Sequence, residues 1–189
     1  MPTSLLRTVT AVTAVAAIAS AALDAGAARA ATTTATGTIT AGTLTVSTSA
    51  TPTFGAALDG TDKTPTYTLP MTVNDATGSG AGWKVTLTST QFATSGGTTH
   101  SLATTASKVT GVTSSCAAGT CTAPSNTTGY PFVVPADTSA PTAVSLFNSA
   151  ADTGMGQFTV TPTVAVSVPA NTYAGTYTST LTLAAVSGP

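Results

Sequence analysis

Few residues of this chain have types and spacings that suggest chemistry. Cys116 and Cys121 frame the stretch Cys-Ala-Ala-Gly-Thr-Cys, and they are the only cysteines. In an exported chain, which the leader described next implies, an isolated pair reads as a structural disulfide. Gly119 gives the backbone between them room to turn. A redox pair would want Cys-x-x-Cys near a βαβ pattern, and both spacing and context are wrong. Two thiols do not make a structural zinc site, and the single histidine, His100, does not complete one. His100 lies in the turn-like Gly-Gly-Thr-Thr-His-Ser and reads as a solvated loop residue. Serines are abundant, yet no Gly-x-Ser-x-Gly elbow marks a nucleophile. Glutamate is absent, and no aspartate pair has the context of a general acid and base. Asp59 and Asp62, in Leu-Asp-Gly-Thr-Asp-Lys, lack EF-hand spacing and read as a polar turn. The expectation is a protein that is not an enzyme, without catalytic residues, cofactor or metal.

The start of the chain addresses it for export. Arg7 supplies a short positive region, and Val9 to Leu23 form an apolar run of about 15 residues, within signal-peptide range. A membrane span needs about 20 residues. Ala28-Arg29-Ala30 before Ala31 reads as a small-residue cleavage site. Residues 1–30 are therefore predicted to be a signal peptide, and residues 31–189 a single domain with a proper core. No second apolar stretch approaches membrane length and no sorting signal follows the last strand-like run. Attachment to a surface is accordingly expected to be non-covalent, with no membrane insertion after cleavage.

Charge is scarce. Asp, Glu, Lys and Arg make up 6% of residues, against about 25% in average domains. Past the leader, Lys63, Lys84 and Lys108 face five aspartates. A nucleic-acid footprint needs a basic stripe and an electrostatic membrane anchor needs a basic cluster; both are excluded. Hydroxyls take the place of charges, with threonine at about a quarter of the chain. Threonine is β-branched and favours strands. Such an outer face suits neutral, hydroxyl-rich polymers or further copies of the chain.

The elements that must position these residues are strands. Helical periodicity is absent after the leader, whereas period-2 alternation recurs. It runs over Thr43 to Ser47, Tyr67 to Val73, Trp83 to Leu87, Phe158 to Val168 and Tyr177 to Leu183. Pro70 argues for an edge or a bulge in the second run. Gly- and Pro-rich turn signals separate the runs. The predicted fold is all-β, an antiparallel β-sandwich of immunoglobulin-like type. Residues 93–157 look least regular and are expected to carry hairpin extensions and long loops. Residues 31–37 are either a flexible tail or a first edge strand.

Alternation sends Trp83 the same way as Val85 and Leu87, so the only tryptophan reads as an inter-sheet plug. A ligand-facing indole is the competing reading. Tyr177, just after Gly175 at a strand start, suits a tyrosine corner whose hydroxyl bonds to nearby backbone. These two stretches, Asp75 to Phe92 and Asn171 to Leu183, are similar to the WxL domain of bacterial cell-surface proteins. That family has a Gly-Trp-led strand and a terminal Tyr, three residues, Leu-Thr-Trp-x-Leu. Here Trp83-Lys84-Val85 stands for the first motif, with Val in place of Leu. Tyr177, Leu181 and Thr182 match the second, with Leu183 for its Trp and Ala185 for its last Leu. The resemblance implies a secreted β-sandwich held non-covalently at the cell wall through a wall polymer such as peptidoglycan.

Two functions follow. In the first, a surface-attachment module binds wall polymer or glycan through loops and outward residues such as Lys84. In the second, a structural subunit pairs its strand edges with other copies or surface proteins to build a layer or filament.

Overall fold

The computed structural model describes residues 31–189; the predicted signal peptide lies outside the described residues. Within residues 31–38 there is no regular element, and all are exposed. Ile39 to Pro189 form a compact unit. The described residues contain twelve strands and no helix: β1 (Leu44–Ser47), β2 (Thr66–Thr68), β3 (Met71–Asp75), β4 (Trp83–Thr90), β5 (Ala93–Thr94), β6 (Ser107–Ala118), β7 (Phe132–Val133), β8 (Ala136–Asp137), β9 (Val144–Ser149), β10 (Gly156–Val166), β11 (Tyr177–Thr178) and β12 (Leu181–Ser187).

Two sheets share one core. The first has the order β1-β3-β10-β6-β7, with β2 also pairing β10. The second is built on β4, which takes β12 on one side and β9 and β8 on the other. All pairs are antiparallel except the short β4–β8 pair, which is parallel. The pair β5–β11 stands as a small third sheet. β10 shows why these residues make strands. Phe158, Val160, Val164 and Val166 are buried while the threonines and alanine between them are not. Opposite them, β4 buries Trp83, Val85 and Leu87. Each aliphatic side chain fully removed from water contributes roughly 1.5–3 kcal/mol.

The run around Pro70 is split. Leu69 and Pro70 interrupt it, so that β2 and β3 lie end to end along β10. In an antiparallel strand a residue's N–H and C=O point to the same neighbour. Pro162 in β10 accepts a hydrogen bond from Leu69 N at 3.1 Å on the β2–β3 side. Its missing N–H thus faces the gap that Pro70 opens. Pro70 marks a break between two collinear strands, and β2 before it pairs only with β10, so the proline sits where the sheet has an open edge.

Residues 93–157 are more regular than the alternation suggests. They contain β6, the longest strand, which pairs with β10 over its whole length. The register shifts at Thr110, and beyond Gly111 both faces of β6 are largely exposed. A bulge flips the phase of alternation, and an exposed ribbon has no apolar face to reveal it. A long loop, residues 119–131, follows. It is tied down by Asn148, whose Oδ1 accepts from Thr127 N at 2.8 Å, and by Tyr130, whose hydroxyl donates to Leu146 O at 2.7 Å.

Cys116 and Cys121 are joined, with Cα atoms 5.9 Å apart. The bond closes the turn after β6 and sets Cys121 beside Gly156 and Gln157 of β10. A loop this short gains only about 2 kcal/mol from closure. Reduction is expected to lower the unfolding free energy by that amount and leave the two sheets cooperative. Complete unfolding in reductant alone would contradict it.

Candidate functional site

The two motif stretches, about 90 residues apart in sequence, are neighbours in space. β12 pairs β4 so that Leu183 faces Leu87, Ala185 faces Val85 and Val186 faces Lys84. Alternation then gives this ribbon two distinct faces.

The inner face carries Trp83, which has no exposed surface. Its Nε1 donates to Gly154 O at 2.8 Å, so the one polar atom of the indole is satisfied inside. Phe147 of the same sheet and Phe158 of the opposite sheet flank it, with ring centroids 5.8 and 6.4 Å away. A side chain so enclosed has no face to offer a polymer. Leu181 and Leu183, half-buried, pack against the same core.

The outer face mixes hydroxyls, small apolar side chains and one cation. Thr182, Ala184 and Val186 of β12 are exposed, and Lys84 and Thr86 of β4 lie beside them, half-buried. Thr86 continues across to Ser145 of β9, whose hydroxyl lies 3.4 Å from that of Thr128. Lys84 Nζ donates to Pro189 O at 3.3 Å. Thr88 leaves the patch, because the loop before β9 covers it and Pro141 O accepts its hydroxyl at 2.8 Å. Asn148, directly across from Lys84, is likewise covered by Thr127 and Thr128. Sequence reasoning does not reach this network, since its members meet only through the 119–131 loop.

Beside β12 lies an apolar groove of about 880 Å³. Phe54, Tyr67, Leu69, Phe92, Leu181 and Leu183 line it. Phe54 stacks on Tyr67 at 6.1 Å and meets Phe92 edge-on at 5.3 Å. Burial pushes the Tyr67 hydroxyl up to about 12. Because the fold favours the protonated phenol, this contribution is intact below pH about 10, the ordinary tyrosine value, and is lost as pH rises through about 12. Alkaline titration of stability is therefore expected to show a loss of about 2–3 kcal/mol over that window, absent in Tyr67→Phe. A Tyr67→Phe variant with the same alkaline loss would refute the assignment.

The other candidates fall away from this ribbon. Tyr177 donates its hydroxyl to Tyr173 O at 2.9 Å, a bond to backbone four residues upstream. His100 is not the freely solvated loop residue its surroundings suggest: it is half-buried and stacked on Tyr173, centroids 3.8 Å apart and 12° from parallel. The two rings are 73 residues apart, which is why the local sequence hides the contact. Asp59 accepts from Lys63 Nζ at 2.7 Å and from Thr61, and the Lys63 ammonium holds its carboxyl below the usual value. Asp62 is engaged elsewhere, accepting from Ala170 N at 2.8 Å. The two carboxylates do not converge. Among the described residues no cluster of three or more His, Cys, Asp or Glu could hold a metal.

The fold is a two-sheet β-sandwich whose motif strands turn Trp83, Leu181 and Leu183 toward the core and Lys84, Thr86 and Thr182 outward. A family model described as "WxL domain surface cell wall-binding" matches residues 32–189, and the chain belongs to the WxL domain family. It is an extracellular, cell-wall-associated protein, and its family is one of cell-wall binding rather than of enzymes. No curated protein and no solved structure matches the chain significantly.

Proposed function

We propose that the outer face of the β4–β12 ribbon binds a neutral, hydroxyl-rich wall polymer, with peptidoglycan glycan as the leading candidate, and that the chain performs no catalysis. The observation that carries this reading is the division of labour in the ribbon. The indole is sealed inside, while Lys84, Thr86 and Thr182 stand outward on the same two strands. Short hydroxyls on a pleated sheet form a flat array of donors and acceptors, and flat polar surfaces bind through many modest hydrogen bonds rather than one deep pocket. Lys84 adds a single charge-assisted donor. The signal-peptide assignment belongs to the same proposal, since the mature chain from Ala31 must reach the wall.

Sedimentation of secreted protein with isolated cell walls tests it, with the intact mass of the bound fraction reporting residue 31 as the first. Thr182→Asp with Ala184→Asp buries uncompensated charge against the polymer and is expected to weaken retention at least about tenfold. Lys84→Ala removes one rim charge and should cost only about two- to fivefold. Retention unchanged in both variants, with folding intact, would move the site off this face.

A further inference from the structure

We infer that the free edge of β12 and the groove beside it accept residues 35–41 of a second copy of this chain as an added strand.

The first observation is an unpaired edge. β12 ends its sheet and pairs only with β4, and β1 of the other sheet lies beside it without forming a ladder. Thr90 N donates to Thr180 O and Gly188 N donates to Gly82 O, at 2.9 and 3.0 Å. The even-numbered residues of β12 thus direct their backbone groups to β4, and alternation leaves Leu181, Leu183, Ala185 and Ser187 facing outward. Proteins protect such edges with lysines, prolines or bulges. Leu-Thr-Leu-Ala-Ala-Val-Ser contains none. The apolar groove flanks this edge, with Leu181 and Leu183 on one wall and Phe54 and Leu58 on the other.

The second observation is a segment that fits and has no place in its own fold. Ile39 is 100% exposed. Ala35, Ile39 and Ala41 share one face of an extended chain, with Thr36, Thr38 and Thr40 on the other. The inward residues of β1, Leu44 and Val46, have the opposite parity. The ladder of β1 with β3 runs back to Gly42, whose N donates to Ala76 O at 2.8 Å. Continuing β1 further in the same phase would turn Ile39 to solvent. On the edge of β12, Ile39 instead enters the groove and the threonines extend the outer hydroxyl face. Neither strand carries charge, so neither repels its partner. A second copy is the occupant because the donor segment is part of every chain.

Sedimentation velocity of the secreted protein over a wide concentration range, with amide exchange on the same samples, tests this. Wild-type protein is expected to associate with rising concentration, and the β12 amides at Leu181, Leu183 and Ala185 to gain protection in step. Ile39→Lys should weaken association roughly 100-fold while keeping its retention on cell walls. Ala185→Pro removes an N–H that faces away from β4 and should act likewise; should it fail to fold by circular dichroism, Ile39→Lys decides alone. A wild-type protein that stays monomeric overturns the proposal, as does association that Ile39→Lys leaves intact. Slow β12 exchange in a dilute monomer also overturns it, because the chain's own segment or another element then covers the edge.

Discussion

Trp83→Ala is expected to lower unfolding stability by about 3–5 kcal/mol, the range for deleting a large aromatic from a core. Three losses combine. The indole fills the space between Phe147 of its own sheet and Phe158 of the opposite one. Its removal leaves a cavity that two hydrogen-bonded sheets cannot easily collapse. The Gly154 carbonyl loses its 2.8 Å donor, and a buried orphan acceptor costs about 1–3 kcal/mol by itself. In a domain of this size the thermal midpoint should fall by roughly 10 °C or more. Trp83→Phe separates the parts, keeping most of the packing and losing the N–H. The wild-type emission should be blue-shifted and poorly quenched by acrylamide, with or without cell wall, since this is the only tryptophan. A folded Trp83→Ala variant with an unaltered midpoint would place the indole on the wrong side of the sheet. A wall-binding defect that merely tracks the loss of fold would agree with a structural role.

How much of this is legible in the sequence depends on whether a strand has one wet and one dry face. β4 and β10 do, and their alternation announces both the strand and the direction of each side chain. The inward course of Trp83 and the outward course of Lys84 follow from that alone. The run Tyr177 to Leu183 is instead divided, Tyr177 and Thr178 going to β11 and Leu181 onward to β12 in another sheet. β9 hides because its register shifts between Val85 and Thr86 of β4, so that Leu146 and Phe147 are both buried and the period of two is lost. β6 hides for the opposite reason, since most of its outer half has no buried face.

The site divides along the same line. Residues of one ribbon can be placed from local pattern, so Lys84 and Leu181 are readable as candidates, and Tyr177 is readable from its own strand start after Gly175. Contacts made by folded loops are not. The Asn148 network joins residues 126–128 to β9 through side-chain amides whose partners no short-range rule supplies. The groove is composed of Phe54, Phe92 and Leu181, each unremarkable in its own stretch. Ile39 is the reverse case, an apolar residue whose exposure shows only in the folded chain.

Gly82→Ala should also be strongly damaging, at roughly 2–5 kcal/mol. The turn that leads into β4 holds Gly78 and Gly82 at positive φ, 62° and 71°. An alanine pays the left-handed penalty of about 1–2 kcal/mol at either position. The surroundings then separate the two. A Cβ on Gly78 meets nothing within 4 Å, whereas one on Gly82 runs into Ser149 O and lies 2.8 Å from Ala150 C. Those are backbone atoms, held in place by the Trp83–Ser149 pairing of β4 with β9. Gly82 is fixed from the other side too, because its carbonyl accepts from Gly188 N at 3.0 Å. Relief requires moving β9 away from β4 at the point where Trp83 enters the core, adding roughly 1–3 kcal/mol of overpacking strain. Chemical denaturation of the two alanine variants gives the answer directly. Gly78→Ala should lose only the conformational part, and Gly82→Ala should lose clearly more, with a red-shifted Trp83 emission as the indole is prised from its site. Equal losses in the two variants would mean that β4 and β9 tolerate separation there, and that the close approach at Gly82 does not fix how Trp83 enters the core.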